Sequence, residues 1–221
     1  MRTEKENFNA GNGIPTSIMH NLVSWHGFDG NLHDSHGAAH AELVEGEVAF
    51  GTNRFQKPNA ALVLAGSSGL IFKGVAINGR SFSIQFWALN PQKWLLAQGI
   101  GEDGFGLHIG VGPAGMRCDY WGNDLIAPLG KNADWTHWVM VHDVDTGLKS
   151  TWRDGVCVAQ MESAPYRGTG DFTLGRHFSG VGYYSGRLDD IAIWIRAIEA
   201  NEIAILYGNA KGPSYKDLAS A

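Results

Sequence analysis

The segment Ser81-Phe82-Ser83-Ile84-Gln85-Phe86-Trp87 constrains the fold more than any other, because its side chains alternate without a break. Phe82, Ile84 and Phe86 fall on one face and Ser83, Gln85 and Trp87 on the other. A period of two is the geometry of an extended strand with one apolar face. The same period governs Phe105 to Gly112, where Phe105, Leu107, Ile109 and Val111 alternate with Gly106, His108, Gly110 and Gly112. Its second face is nearly bare, so a neighbouring backbone or a ligand can approach closely there, or the strand can twist or bulge.

Further strands are expected at Leu22 to Phe28, Ala60 to Ala65, Trp135 to Val144, Leu148 to Gln160, Asp171 to Gly175 and Gly186 to Ile195. Asp154-Gly155 joins Thr151-Trp152-Arg153 to Val156-Cys157-Val158, and Asp-Gly suits the positive φ angles of a two-residue hairpin turn. One stretch has helical spacing: Glu199 to Tyr207, with Ile203, Leu206 and Tyr207 in phase and Gly208 placed to end it. Thirty glycines lie largely between the apolar runs, as many tight turns require. Many short strands, one short helix near the end and no βαβ rhythm predict an all-β, two-sheet antiparallel sandwich.

At 221 residues, 44% hydrophobic and 18% charged, the chain has ample material for one core. The reading is one domain over residues 21–210, a flexible N-terminal arm over 1–20 and a loose tail over 211–221. A net charge of −5 without a Lys/Arg cluster lacks the footprint of nucleic-acid binding. No run approaches the roughly eighteen apolar residues of a membrane span, and the first residues show no signal-peptide stretch. Cys118 and Cys157 read as two free thiols.

The order of segments resembles the laminin-G-like jelly-roll family of the concanavalin A-like lectin/glucanase superfamily. The resemblance rests on Phe28-Asp29-Gly30-Asn31 with Asp34-Ser35-His36-Gly37, then Ala61-Leu62-Val63-Leu64 and Phe82-Ser83-Ile84-Gln85-Phe86-Trp87. It continues through Trp135-Thr136-His137-Trp138-Val139, Arg153-Asp154-Gly155 and Leu174-Gly175-Arg176, and closes on Ser185-Gly186-Arg187-Leu188-Asp189-Asp190-Ile191-Ala192-Ile193-Trp194. It implies a jelly-roll sandwich and an extracellular or cell-surface setting. It also implies a Ca²⁺ held by hard oxygen donors, with Asp189 or Asp190 from the late strand and Asp29 and Asp34 from the early loop as matching positions. Asp189 is in phase with Ile191 and Ile193, so it is expected to face the interior, where a metal, an arginine or backbone amides must compensate it.

For ligands, Asp119-Tyr120-Trp121-Gly122-Asn123-Asp124 combines aromatic faces with planar polar groups, the pair of features that sugars recognise. Tyr120, Trp121, Asn123 and Asp124 are therefore candidate ligand-binding residues, with Trp94, Trp152, Trp194, Tyr183 and Tyr184 extending the surface. A glycosidase would need a carboxylate pair in a short acidic run, and the nearest cluster, Glu42, Glu45 and Glu47, reads as solvated surface. His33, His36 and His40 sit close together, but no second ligand pair follows them, so they read as a polar loop. The expectation is a non-catalytic module binding glycans or protein surfaces, with calcium assistance. A structural or assembly protein is the alternative, with oligomers or a larger assembly, and a polysaccharide hydrolase or lyase comes third.

Overall fold

The computed structural model describes residues 15–130 and 133–220, and the alternating segments are strands. β6 (Phe82–Gly99) ties the two layers together. Its first half pairs with β10 (Thr136–Asp143) and β14 (Ser185–Trp194), and its second half with β13 (Phe172–Leu174) and β7 (Gly106–Gly112). Between the halves Asn90 and Lys93 take positive φ, 50° and 63°, which turns the strand from one layer into the other.

The first layer continues outward from β10 through β11 (Leu148–Arg153) to β12 (Val156–Glu162). On its other side β14 meets β1 (Leu22–His26) and β4 (Ala61–Ala65), with β3 (Ala49–Gly51) beyond. The second layer runs from β2 (Glu42–Glu45) through β5 (Gly69–Phe72), β13, β6 and β7 to β8 (Gly115–Asp119) and β9 (Asp124–Ala127). All these strand pairings are antiparallel. The predicted all-β sandwich is therefore the observed one. At the Asp154-Gly155 turn both residues have positive φ, 51° and 79°, as expected.

Phe82, Ile84 and Phe86 share one interior with Leu107, Ile109, Leu188, Ile191 and Ile193. Phe105 departs from that set: it precedes β7 and lies half-buried, 4.3 Å beneath the Arg167 guanidinium. The outer face of the first layer carries a second apolar cluster of Trp25, Val139, Ala192 and Trp194. It is roofed by a 3-10 turn (Thr16–Met19), α1 (Ala200–Lys211) and α2 (Tyr215–Ala219) through Ile18, Ile203, Leu206 and Leu218. α1 is regular to Tyr207, after which Gly208, Asn209 and Ala210 take positive φ. The reading of residues 211–221 as a loose tail meets a helix here, nucleated by reciprocal hydrogen bonds between Ser214 and Asp217. Of the expected arm, residues 1–14 lie outside the described residues, and Ile18 is buried.

β14 corrects the expected phase of Asp189. The register against β6 jumps between Asp189 and Ala192, and Asp190 sits at φ 45°. This bulge places two consecutive residues, Asp189 and Asp190, on the outer side while Leu188 and Ile191 both face the core. Arg54 supplies the compensation. Its guanidinium pairs with Asp189 Oδ2 at 2.6 Å and Asp190 Oδ2 at 2.7 Å. It also donates to the carbonyls of Lys211 and Pro213 and lies against the rings of Trp87 and Phe55. Trp25 Nε1 donates to Asp190 Oδ1. Burial pushes both carboxyls above the ordinary range, the charge of Asp190 adds to this at Asp189, and Arg54 opposes it.

Removing one partner of a buried ion pair leaves the other charge uncompensated, so Arg54→Met is expected to destabilise the chain by about 3–5 kcal/mol. A denaturant midpoint unchanged from wild type would show that Arg54 contributes no such support. Acid is expected to act through three buried imidazoles. Among the described residues His142 has no hydrogen-bond partner on either ring nitrogen, His137 has one only on Nε2, which donates to Gln85 Oε1 at 3.1 Å, and His26 has no side-chain partner and lies beside the Leu32 backbone. Burial lowers His26 to about 4 and His142 to about 4, and burial with the Arg54 charge lowers His137 to about 3. Below its ordinary pKa the unfolded chain takes up protons that the native state refuses, so stability falls as pH drops from 6.5 towards 4. Each imidazole can contribute on the order of 3 kcal/mol. Calorimetric scans at pH 7 and pH 4.5 should show a lower melting temperature at the acid pH, and equal temperatures would refute this.

Candidate functional site

β8 and β9 are joined by the turn Tyr120 to Asn123, closed by a hydrogen bond from Tyr120 N to Asn123 O of 3.1 Å. Trp121 stands on this turn at φ 45°, 41% exposed, with Gly122 after it at φ 78°. A bulky residue in the left-handed region is strained and persists only where its surroundings fix it. Here they do. Gly104 N donates to the carbonyls of Tyr120 and Trp121, and Ser163 Oγ donates to Asn123 Oδ1 at 3.3 Å. The buried Lys149 donates to Asn123 O at 2.6 Å while its ammonium lies 4.1 Å from the centre of the Tyr120 ring. Burial lowers Lys149 to about 8. The turn is thus anchored from beneath, and the Trp121 ring is presented outward.

Trp121 borders a cleft of about 490 Å³ whose walls include Asp103, Gly104, Asn123, Pro165 and Arg167. The ring also lies 5.8 Å from His108, 6.0 Å from His177 and 6.1 Å from Phe178, centre to centre. Trp94 extends this cluster at 4.9 Å from His108. The bare face of β7 is what admits these rings. A Cβ on Gly106 would lie 3.1 Å from the Phe178 ring, and one on Gly110 would lie 2.8 Å from Trp94 Cα. The close approach read from the sequence is thus made by neighbouring parts of the chain. Beside the rings, Arg117 pairs with Asp119 and with Asp124 at 2.6 Å, and His108 Nε2 lies 3.4 Å from Asp119 Oδ2.

Of the residues singled out in the sequence, Trp121, Asn123 and Asp124 come together at this turn. Tyr120 belongs to the turn but is buried in the core, and Tyr184 is buried as well, so neither offers a surface for stacking. Trp152 packs on the helix-covered face of the other layer, with Nε1 donating to Ser150 Oγ. Tyr183 adjoins the cluster through a bridge to Trp94, and its hydroxyl donates to Glu45 Oε2 at 2.8 Å. His108, Arg117, Arg167, His177 and Phe178 were not anticipated. The glycine face of β7 was the one signal available for His108; Arg117 is brought to the turn by strand pairing, and Arg167, His177 and Phe178 by the packing of loops.

The four candidate calcium ligands are each engaged by other groups of the chain. Asp189 and Asp190 already face the Arg54 guanidinium, which two carbonyls and two rings hold in place. Asp34 accepts from the backbone amides of Trp25, His36, Gly37 and Ala39 at 2.9 to 3.1 Å. Asp29 is exposed and pairs with Lys57 at 2.7 Å. The acidic run reads as surface here too, since Glu45 pairs with Arg176 and all four residues of β2 are exposed. No helix among the described residues is long and apolar enough to cross a membrane.

Solved structures share this fold. Domain 4 of an extracellular arabinanase from Geobacillus stearothermophilus, solved with arabinotriose, has 20% identity and a TM-score of 0.61, with 85% of this chain and 98% of that one covered. The binding domain of Paraclostridial mosquitocidal protein 1 has 19% identity and a TM-score of 0.67, covering 87% of this chain and 53% of that one. The ligand-binding domain of botulinum neurotoxin serotype D, solved with N-acetylneuraminic acid, has 12% identity and a TM-score of 0.63, covering 88% and 52%. The chain thus spans about half the length of the toxin domains it matches. No curated protein matches the sequence. The family model described as the concanavalin A-like lectin/glucanases superfamily matches residues 64–204, from β4 into α1. The chain belongs to the laminin-G-like family of the concanavalin A-like lectin/glucanases superfamily.

Proposed function

We propose that this chain is a non-catalytic recognition module that binds a glycan against Trp121. The observation that carries this reading is an exposed indole held at a strained backbone angle, beside a cleft whose rim offers Asp103, Asn123 and Arg167. An indole face packs against the C–H face of a sugar ring, and planar amide, carboxylate and guanidinium groups pair with its hydroxyls. Because the turn is anchored by Lys149, Ser163 and Gly104, little conformational freedom is lost when a ligand docks. Two structures of the same fold carry saccharides, arabinotriose in one and N-acetylneuraminic acid in the other, which supports a sugar over a protein ligand.

The non-catalytic part of the reading rests on how the acidic groups are used. Glu45 is shared between Arg176 and Tyr183, and Asp119 and Asp124 are bridged by Arg117. None of these is placed as a free acid opposite a nucleophile.

A glycan array identifies the saccharide, and calorimetric titration then measures it against wild type and Trp121→Ala. Loss of a central stacking aromatic typically removes about 2 kcal/mol of binding, roughly thirtyfold in affinity. Because Trp121 is exposed, its melting temperature should stay near that of wild type. Saccharide binding with equal affinity in both proteins would sink the site assignment. An array with no saccharide bound, or reducing ends released from a polysaccharide panel, would sink the function.

A further inference from the structure

We propose that His108, Asp119 and Asp124 form a binding site for one divalent transition-metal ion, of the borderline class that takes imidazole nitrogen and carboxylate oxygen together, such as Zn²⁺. The three residues come from adjacent strands β7, β8 and β9, and one donor atom from each lies within 4.8 Å of the others. His108 Nδ1 lies 2.9 Å from the carbonyl oxygen of Gly106. Only an N–H makes a hydrogen bond to a carbonyl, so Nδ1 is the protonated nitrogen of the neutral tautomer, and Nε2 is the nitrogen that can take a metal. Nε2 lies 3.4 Å from Asp119 Oδ2. An imidazole nitrogen and a carboxylate oxygen this close are suited to sharing one cation, although Arg117 already reaches the same Asp119 oxygen. An imidazole backed by a carbonyl in this way is the arrangement that orients metal-binding histidines.

Asp119 provides a second, independent sign. It is 0% exposed, yet its Oδ1 has no hydrogen-bond partner, although a buried carboxylate oxygen normally has one. Arg117 neutralises part of this charge by reaching Asp119 Oδ2 and Asp124 Oδ2. It differs from Arg54, whose side chain is 1% exposed and tied to two carbonyls, because Arg117 is 25% exposed and can withdraw into solvent. Zinc holds nitrogen and oxygen donors about 2.1 Å away, so any two of them lie at most about 4.2 Å apart. Binding therefore draws in Asp124, the exposed member of the set. Water completes the coordination shell.

The proposal stands apart from the glycan reading, and its test uses the metal alone. The full chain is titrated with ZnCl₂ by calorimetry, and with Co²⁺ by visible absorption as a signature of nitrogen and oxygen coordination. The expected result is one ion per chain, with affinity lowered at least tenfold in His108→Ala and in Asp119→Asn. Arg117→Met should bind more tightly, by roughly tenfold, because it removes the competing cation; a purely structural ion pair predicts no such gain. The double change His36→Ala with His40→Ala should leave the affinity unchanged. Absence of one-to-one binding in both wild type and Arg117→Met would overturn the proposal. So would binding that follows His36 and His40 and ignores His108. If the His108 or Asp119 variants fail to fold, Arg117→Met decides the matter: tighter binding supports the site, and unchanged or weaker binding refutes it.

Discussion

One guanidinium facing two buried carboxylates holds the outer layer of this protein together. Arg54 meets Asp189 and Asp190 at the bulge of β14, and through the same group it holds the carbonyls of Lys211, which ends α1, and Pro213, which precedes α2. Burying two carboxylates beside each other is unfavourable, and a fixed cation with further hydrogen bonds is what makes it tolerable. The loop that carries Arg54, the bulged strand and the C-terminal helices are therefore positioned by one charge. Trp25, donating to Asp190 and packing against Trp194 and Tyr215, joins that network to the apolar roof.

The same arrangement divides the molecule by task. The helices and the 3-10 turn cover the outer face of the first layer, so its aromatics, Trp152 among them, serve packing. Among the described residues no helix covers the second layer near β7, β8 and β9, and Trp121 is exposed there. Beneath them, Lys149 reaches through the interior to hold the carbonyl of Asn123. A buried lysine is an expensive support for a turn, and it stiffens the segment that presents Trp121.

The strand pattern was readable where alternation was uninterrupted, as in Phe82 to Phe86 and in Ile191 to Ile193. It misled at Asp189, because a single positive φ at Asp190 reverses the phase of everything before it, and no residue type announces that angle. The short strands β2, β3 and β5 left little local signal, since each has only three or four residues. At the site, Trp121, Asn123 and Asp124 were legible because they are neighbours in sequence. Tyr120 and Tyr184 carry the same aromatic chemistry but are buried, which composition alone does not distinguish.

What the sequence determined by itself is local and periodic: which faces are apolar, where Asp154-Gly155 turns the chain, and where Gly208 ends a helix. These follow from backbone sterics and side-chain spacing over a few residues. What the tertiary structure alone decided is who meets whom. Arg54 finds Asp189 across 135 residues, and His108, Trp94, Trp121 and Phe178 converge from different strands and loops. Such meetings depend on strand register and layer packing, in which every local preference competes with all the others at once, and no short window of sequence encodes them.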